Sequence, residues 1–337
     1  MSQGREHNNM KRWLPLLLLA LVIALGAALL VYFIRREPPA PPAGEHVTIV
    51  GFSQLGSESG WRVGNSKDVI AAAQRAGVEL IYNNAAQKQE NQFDAIRSFI
   101  AYQVDVIALA PIVEEGWNNV LQEAREAGIP VLLSDRFINI EDESLFAGYV
   151  GSDFLEEGKA AARFLQRKTE GMPRVNIVEI AGTEGSTPAK QRASGFRDTL
   201  GGDSRFHIIH SVSGDILRSK GKESMRNILI QFSEIDVLYS HNDAMTLGAI
   251  EAIEEAGLVP GRDIIIITID GEQGAIDLLK QGKINCVVEC TPMLGDLIMD
   301  LSQRLARGEE IPRVSHPVER VFSEFDEDVL RIPPRGY

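Results

Sequence analysis

Long apolar runs recur along this chain, and each of them ends abruptly in a cluster of polar side chains. β-Branched residues dominate the runs, which stop at Ser53-Gln54, Asp135-Arg136, Asn242-Asp243 and Asp270-Gly271. Continuous apolar runs are typical of strands buried on both faces, as in a parallel sheet flanked by helices. Because ligands of such sheets bind at the carboxyl ends of the strands, the polar clusters mark candidate binding positions.

Strand-like and helix-like patterns alternate from Val47 onward, at roughly 25–35 residues for each pair, which is the rhythm of a βαβ fold. The pattern predicts ten strands, which begin near Val47, Val78, Val104, Pro130, Phe146, Val175, Phe206, Asp236, Asp263 and Ile284. It predicts seven helices between them: Lys67 to Ala76, Gln89 to Tyr102, Gly116 to Ala127, Leu155 to Lys168, Ala189 to Leu200, Ser219 to Phe232 and Ala244 to Ala256.

Ala-Gly pairs end three of these predicted helices, at 76–77, 127–128 and 256–257. A glycine in that position commonly adopts the left-handed conformation that terminates a helix. Ten strands exceed a typical single sheet, so we predict an α/β protein with two doubly wound parallel-sheet lobes. The boundary between them is expected near Tyr149 to Asp153, where a strand ends in small and polar residues. Two facing lobes would bring both sets of polar strand ends to one cleft.

The N-terminal region has a different composition. The 22 residues from Trp13 to Ile34 carry no charge, which is long enough for a bilayer span of about 20 residues. Gly26-Ala27-Ala28 offers a possible cleavage site, but the apolar run continues to Ile34 and favours an uncleaved anchor. We therefore predict a cytoplasmic N-terminus at 1–12, a transmembrane or signal anchor at 13–34 and a Pro-rich linker at 35–46. The globular part is predicted to be exported to the periplasmic or extracytoplasmic face.

Charge and motif content exclude several classes of function. The net charge of −13 argues against nucleic-acid binding, which needs a basic face. The six histidines show no metal-ligand spacing, so we predict no metal and no cofactor. The chain has no Gly-x-Ser-x-Gly elbow and no dinucleotide fingerprint, so we predict that it is not an enzyme. A carboxylate pair such as Asp135 with Asp270 leaves glycosidic-bond hydrolysis as a weaker hypothesis.

Two cysteines, Cys286 and Cys290, lie four residues apart in or beside a predicted strand. At about 3.3 Å per residue they are about 13 Å apart, whereas a disulfide needs Cα atoms within about 7 Å. We therefore predict two buried free thiols.

Many short motifs, in order along the chain, resemble one family. They include Gly51 to Gln54 with Ser57 to Arg62, Gln87 to Gln92, Ser134 to Arg136, Arg192 with Gly195-Phe196, Ser213 to Asp215, Asn242 to Met245, Ile269 to Gly271, and Glu289 before Thr291-Pro292. From Val47 to Tyr337 the chain resembles the ribose/galactose type (type I) of periplasmic sugar-binding protein. Glu58 to Arg62 and Arg218 to Lys222 are similar to the galactofuranose-binding subgroup in particular.

The resemblance implies a receptor that closes two lobes around a monosaccharide and delivers it to the permease and ATPase of an ABC importer. It also implies a multi-strand hinge, with residues 47–149 plus about 291–321 in the first lobe. Residues 150–290 plus about 322–337 then form the second. We expect a monomer that meets the membrane through its N-terminal segment and binds no nucleic acid. Presentation of the bound sugar to a membrane sensor or chemoreceptor stays open as an alternative.

A sugar offers hydroxyl groups that both donate and accept, and apolar C–H faces. Side chains that make two hydrogen bonds at once, and an aromatic platform, suit such a ligand. Trp61 is expected to stack on the ring from the loop that follows the first strand. The full set of predicted ligand-binding residues is Gln54, Glu58, Trp61, Arg62, Asp135 and Arg136 from the first lobe, and Arg192, Asn242, Asp270 and Glu289 from the second.

Several of these residues have an alternative role. Capping of the next helix is as good an interpretation of Asp243 as ligand contact, and it is an alternative for its neighbour Asn242. Turn formation is the alternative for Asp270, which precedes a glycine. Glu289 is the least secure, since a strand residue can face either side of the sheet. We assign Trp117 to core packing and Trp13 to the membrane interface.

Overall fold

Twelve strands form two six-stranded sheets in the computed structural model, which describes residues 46–337. The first sheet contains β1 (Ile49–Gln54), β2 (Glu79–Asn84), β3 (Val106–Leu109), β4 (Val131–Ser134), β5 (Gly148–Val150) and β11 (Val314–Ser315). The second contains β6 (Val175–Ala181), β7 (Phe206–Ser213), β8 (Val237–Ser240), β9 (Ile265–Asp270), β10 (Cys286–Glu289) and β12 (Val321–Ser323).

Nine α-helices connect these strands within the described residues. They are α1 (Gly60–Ala76), α2 (Gln89–Tyr102), α3 (Asn118–Glu126), α4 (Phe154–Lys168), α5 (Thr187–Leu200), α6 (Arg218–Gln231), α7 (Asp243–Glu255), α8 (Gln273–Lys280) and α9 (Gly295–Ala306). Short 3₁₀ turns lie at Glu143–Leu145 and Val329–Arg331. No helix in this part of the chain is both long and apolar enough to cross a membrane. The predicted segments 1–12 and 13–34, and all of the linker 35–46 but its last residue, lie outside the described residues.

The two sheets have the same topology except at one edge strand. Their strand orders are β11-β5-β4-β3-β1-β2 and β12-β10-β9-β8-β6-β7, and only β12 runs antiparallel to its neighbour. In each sheet the strand order reverses beside the first strand, which is where doubly wound folds bind ligands. The prediction of two doubly wound lobes with parallel sheets is confirmed.

Three segments carry the chain from one lobe to the other. The first segment, 151–153, follows β5, and the third, 316–320, joins β11 to β12. The second segment, 290–294, leads from β10 to α9, and α9 packs on α1. Side chains link the three segments. Ser152 Oγ donates to Glu319 Oε1 at 2.6 Å, and the Thr291 N–H donates to the same oxygen at 2.7 Å.

All ten predicted strands are present, and so are the seven predicted helices. Gly77, Gly128 and Gly257 adopt left-handed φ angles of 66°, 74° and 79°, as the Ala-Gly pairs predicted. The start of α1 was predicted at Lys67, but the helix begins at Gly60 because Ser59 caps it by accepting a hydrogen bond from the Arg62 N–H. Helices α8 and α9 were not predicted.

The core forms on the faces of both sheets. Trp117 packs with Phe93 between α2, α3 and the first sheet, and only 1 % of its surface is exposed, which confirms its predicted role. Cys286 and Cys290 are buried and free, also as predicted. In the second sheet, a cluster of buried apolar side chains, many of them isoleucine and valine, packs on one face of β6, β8 and β9.

Candidate ligand-binding site

A cavity of about 30 Å³ lies at the carboxyl ends of both sheets. This volume is well below the range of about 300–1,000 Å³ that is typical of small-molecule sites. Eight of the ten predicted ligand-binding residues line it, namely Glu58, Trp61, Arg62, Asp135, Arg136, Arg192, Asn242 and Asp270. The sequence therefore identified most of the residues that the fold brings together here.

Arg62 organises the first lobe's half of the cavity. Its guanidinium donates from Nε to Glu58 Oε1 at 3.2 Å, from Nη1 to Gln54 Oε1 at 3.2 Å and from Nη2 to Asp135 Oδ2 at 2.6 Å. All of these side chains are buried, and Arg62 and Asp135 each expose 5 % or less of their surface. Burial lowers the pKa of Arg62, but the negative charges of Asp135 and Glu58 raise it more, so the group stays protonated.

Asp135 adopts a left-handed backbone conformation, with φ of 64°. Its N–H donates to the Val150 carbonyl at 2.7 Å, and its own carbonyl accepts from the Tyr149 hydroxyl at 2.7 Å. Aspartate tolerates this conformation better than most residues do. The turn after β4 thereby points the carboxylate at Arg62 and into the cavity.

Trp61 lies in the first turn of α1, so its predicted place in a loop was wrong. Its indole N–H donates to the Cys290 carbonyl at 2.6 Å, and the Arg62 guanidinium lies 4.6 Å from the ring centroid. With its N–H bonded and one side covered by a cation, the ring is fixed in orientation. It supplies an apolar wall beside the charged groups.

Arg192 is the corresponding cation of the second lobe. Its Nε donates to Glu157 Oε2 at 2.7 Å, its Nη1 donates to the His241 carbonyl at 2.6 Å, and its Nη2 lies 3.8 Å from Asp270 Oδ1. Helices α4 and α5 pack closely enough for this contact because each has a glycine at the crossing. A Cβ at Gly195 would lie 2.1 Å from the Leu155 carbonyl oxygen.

The neighbouring residues Asn242 and Asp243 have different roles: Asn242 lines the cavity, whereas Asp243 binds other groups of the protein. Asn242 caps α7 by accepting the Met245 N–H at 3.0 Å, while its Nδ2 reaches the cavity. Asp243 turns away, accepting from the Thr268 hydroxyl at 2.7 Å and from the Gly271 and Glu272 N–H groups at 2.8 and 2.7 Å. Burial and the nearby Glu272 raise the pKa of Asp243 to about 7.

Asp270 ends β9 with φ of 129°, a rare angle for a residue with a side chain. Burial raises the pKa of its carboxyl group well above the usual range, although Arg192 opposes the shift. The turn role and the cavity role considered for Asp270 are therefore combined in one residue.

Three polar atoms at the cavity have no hydrogen-bond partner among the described residues, although each is buried. They are the acceptor Glu58 Oε2 and the donors Arg136 Nε and Asn242 Nδ2. Burial, and the positive charge of Arg62, lower the pKa of Arg136 to about 10, while its Nη1 donates to the Ile112 carbonyl at 2.8 Å. Leaving such groups unsatisfied costs about 1–3 kcal/mol each, so this is where a polar ligand would gain most.

Gln54 and Glu289 do not line the cavity. Gln54 lies behind Arg62, where its Nε2 donates to Asn65 Oδ1 at 2.9 Å and its Oε1 accepts from Arg62. The Glu289 carboxylate is bound instead by the Arg335 guanidinium and accepts from the Arg320 N–H at 2.9 Å. The structure thus gives Gln54 a supporting position and places Glu289 outside the site.

Sequence reasoning missed five residues that line the cavity: Ser59, Phe154, Pro188, Ile216 and Cys290. Phe154 follows the polar end of β5, and Ile216 follows the Ser213 to Asp215 motif, so their places along the chain were a usable signal. Phe154 lies under Arg192, whose guanidinium carbon is 5.2 Å from the ring centroid. It gives the second lobe an apolar wall that complements Trp61.

Contacts between the lobes close the cavity on two sides. The Thr187 hydroxyl donates to the Phe137 carbonyl and accepts from the Phe137 N–H, both at 3.1 Å, and the exposed Lys190 pairs with Glu114. On the other side the Trp61 N–H donates to Glu272 Oε1 at 2.7 Å. The structure is therefore a closed form of the two lobes.

Behind the cavity, Glu157, Cys290 and Glu319 each bring one possible metal-ligand atom within 4.8 Å of the other two. The Glu157 carboxylate is already paired with Arg192, and Glu319 accepts two hydrogen bonds. The absence of a bound metal stays a prediction.

Comparison with known proteins agrees with this geometry. A family model described as a periplasmic binding protein domain matches residues 50–310. The galactofuranose-binding protein YtfQ of Escherichia coli K12 is 41 % identical over 266 residues, which are 78 % of this chain and 83 % of that protein. A ribose import binding protein of Bacillus subtilis is 26 % identical over 80 % of this chain and 86 % of its own length.

Two solved structures are similar over most of their length. A Mycobacterium smegmatis protein in complex with β-D-fucofuranose is 42 % identical, with a TM-score of 0.81 over 82 % of this chain and 92 % of that one. The periplasmic binding component of an arabinose ABC transporter from Shewanella sp. ANA-3 is bound to α- and β-L-arabinofuranose. It is also 42 % identical, with a TM-score of 0.81 over 84 % of this chain and 94 % of that one. The predicted role of a solute-binding receptor is confirmed, and the chain belongs to the periplasmic binding proteins.

Proposed function

We propose that this protein captures an aldose in its furanose form between its lobes and delivers it to the permease of an ABC importer. One observation carries the proposal: buried, unpartnered donors and an acceptor belong to residues of both lobes that line the same cavity. A hydroxyl group donates and accepts at once, so a polyhydroxylated ligand can satisfy all of them. Trp61 and Phe154 provide apolar surface for its C–H faces.

The charges of the cavity suit a neutral ligand. Arg62 is balanced by Glu58 and Asp135, and Arg192 by Glu157, while Arg136 Nε lies 3.9 Å from Asp135 Oδ2. A phosphorylated sugar would bring its negative charge close to Glu58 and Asp135, at a cost in free energy. We therefore propose a free sugar and not a sugar phosphate.

The ring form is proposed from the relatives. Galactofuranose, β-D-fucofuranose and L-arabinofuranose are the ligands named for three proteins that are about 40 % identical to this chain. The shared length of the alignments covers both lobes. No turnover is proposed, because the relatives are binding proteins and not enzymes.

We propose lobe boundaries at 47–149 plus about 291–321, and at 150–290 plus about 322–337. The membership of β11 in the first sheet and of β12 in the second supports this division. The three segments between the lobes then form the hinge, and ligand favours closure because only the closed form contacts it from both sides. We propose that the receptor acts as a monomer.

We further propose that residues 13–34 tether the receptor to the membrane, with the lobes on the extracytoplasmic side. The uncharged 22-residue segment supports the tether. Membrane fractionation followed by alkaline carbonate washing tests it. The chain should stay in the membrane pellet, and release of full-length protein by carbonate would exclude an integral anchor.

Isothermal titration of the purified full chain with free aldoses tests the function. Asp135→Ala and Arg192→Ala should each weaken binding by more than tenfold, because each removes a buried charged group from the cavity. Glu123→Gln is the matched control, since it removes a carboxylate paired with Arg97 at the protein surface. Unchanged affinity in both cavity variants would refute the site, and no binding of any aldose by the wild type would refute the function.

The ring form needs a separate measurement. Carbon-13 NMR of bound galactose or arabinose labelled at C1 reports the ring, because furanose and pyranose anomeric carbons resonate at different shifts. The proposal expects a furanose signal in the bound state, and a pyranose signal would contradict it.

A further inference from the structure

Helix α1 lacks an acidic residue in its first turn, although it runs for 17 residues and its N-terminus faces the ligand cavity. Ser59 satisfies the Arg62 N–H at 3.2 Å. The Trp61 N–H instead donates to Glu272 Oε1 at 2.7 Å, across the cleft from the second lobe. A carboxylate of the opposite lobe thus takes the position where an acidic side chain would interact with the positive end of the helix.

Glu272 is held firmly in this position. Its N–H donates to Asp243 Oδ2 at 2.7 Å, so the start of the segment before α8 is fixed to the second lobe. Only 9 % of its surface is exposed, and it does not line the cavity. Burial raises the pKa of Glu272, and the hydrogen bond from the Trp61 N–H opposes that shift.

Gly60 allows the carboxylate to come this close. A Cβ at position 60 would lie 2.7 Å from Glu272 Oε2, closer than a van der Waals contact permits. The glycine has an ordinary helical conformation and needs no special φ angle. Its missing side chain is therefore explained by the other lobe and not by the helix itself.

We propose that Glu272 is an interlobe latch that holds the N-terminus of α1, and with it Trp61 and Arg62, in the ligand-facing position when the lobes close. The proposal rests on the proposed function as a closing sugar receptor. Glu272 touches no ligand and acts through the Trp61 backbone, so it is a positioning residue. A contact made only in the closed form shifts the equilibrium toward that form by its own free energy.

The interlobe contacts on the other side of the cleft differ in kind. Lys190 pairs with Glu114, but half of the Lys190 side chain is exposed, and exposed ion pairs contribute little. The Glu272 contact is buried, joins a carboxyl oxygen to a backbone donor and lies at a helix N-terminus. Lys190→Ala is therefore a matched control that removes an interlobe charge of small effect.

The first experiment compares Glu272→Ala and Glu272→Gln with wild type, using the full chain and the free aldose that wild type binds most tightly. Glu272→Ala should weaken binding about tenfold, mainly through faster dissociation, and Glu272→Gln should do so about threefold because an amide oxygen still accepts. The melting temperature without ligand should change little, since only the closed fraction of the ligand-free protein has the contact. Lys190→Ala should stay within about twofold of wild type.

Gly60→Ala tests the same contact from the first lobe. The added methyl group should displace the carboxylate and weaken binding as much as Glu272→Ala does, although alanine favours helix formation. The double variant Gly60→Ala/Glu272→Ala should be no weaker than either single variant, because both remove one interaction. Additive losses would refute the latch, and so would wild-type affinity and dissociation rate in Glu272→Ala.

A ligand-free measurement separates the latch from the proposed function. Electron paramagnetic resonance distances between spin labels on exposed residues of the two lobes report the closed fraction directly. Glu272→Ala should lower this fraction relative to wild type with or without sugar. If wild type binds no sugar, the proposed function fails while the distances still decide the latch, and equal closed fractions would refute it.

Discussion

Substitutions at Asp135 can separate backbone strain from the ion pair, because both occur at this one residue. Its φ of 64° lies in the left-handed region, and its Oδ2 accepts from Arg62 Nη2 at 2.6 Å. Asparagine keeps the shape and tolerates the same φ, but it has no charge. Alanine removes the carboxylate and is strained, whereas glycine removes the carboxylate without strain.

The structure sets the expected magnitudes. Arg62 and Asp135 both belong to the first lobe, so their contact persists when the lobes open. A hydrogen bond to a charged group contributes about 1.5–3 kcal/mol, and Asp135→Asn should lower the free energy of unfolding by about 2 kcal/mol. Left-handed φ costs alanine about 1–2 kcal/mol, partly offset by the entropy of glycine in the unfolded chain. Asp135→Ala should therefore be about 1 kcal/mol less stable than Asp135→Gly.

Urea unfolding of the ligand-free full chain, followed by tryptophan fluorescence and circular dichroism, measures these differences. The dependence of the free energy on urea must stay constant across the set for the comparison to hold. Asp94→Asn, at an exposed position of α2, is the control and should match wild type. Equal stabilities of the alanine and glycine variants would refute the strain argument, and a wild-type stability for Asp135→Asn would refute the ion-pair argument.

Two further predictions concern the hinge and the packing of the second lobe. Burial, reinforced by the negative charge of Glu157, raises the pKa of Glu319 to about 8. The protonated Glu319 carboxyl group therefore makes its full contribution to the free energy of unfolding below about pH 4.5. This contribution is lost as the pH rises through about 8. Glu319→Gln should keep its melting temperature between pH 5 and pH 9 better than wild type does, and parallel profiles would contradict this. Gly195→Ala places a methyl group 2.1 Å from the Leu155 carbonyl oxygen and should lower the free energy of unfolding in urea by about 3 kcal/mol. The control Gly202→Ala, in open space, should lower it by less than about 0.5 kcal/mol. Equal losses in the two variants would show that helices α4 and α5 separate freely.

The strands and most of the cavity residues could be predicted from sequence because their signals are local. A buried parallel strand needs a continuous apolar run, and the topology then fixes where its carboxyl end lies. Asp135, Asn242 and Asp270 were found this way, each within two residues of the end of its strand. The signal for the left-handed glycines that end three helices is equally local, because their conformation depends only on the preceding helical turn.

Two contacts define the start of α1, and only the Ser59 cap is local in sequence. Ser59 and Gly60 favour a turn when they are considered alone. The first turn of the helix is completed by Glu272, whose position in the sequence is 211 residues away. The orientation of Glu289 depends in the same way on Arg335, which follows it by 46 residues. A sequence pattern cannot indicate a partner that only the fold brings close.

Residue type also cannot separate ligand-binding groups from the groups that support them. Asn242 and Asp243 are adjacent, polar and buried, yet one keeps a free donor at the cavity while the other is fully used by three protein donors. Gln54 and Glu58 both accept from Arg62, but only Glu58 retains an unpartnered oxygen. We propose that a ligand-binding residue is distinguished here by the hydrogen-bonding capacity left after the protein's own bonds are made. That quantity depends on every neighbour in three dimensions, so the sequence identifies the set of polar candidates and the structure decides among them.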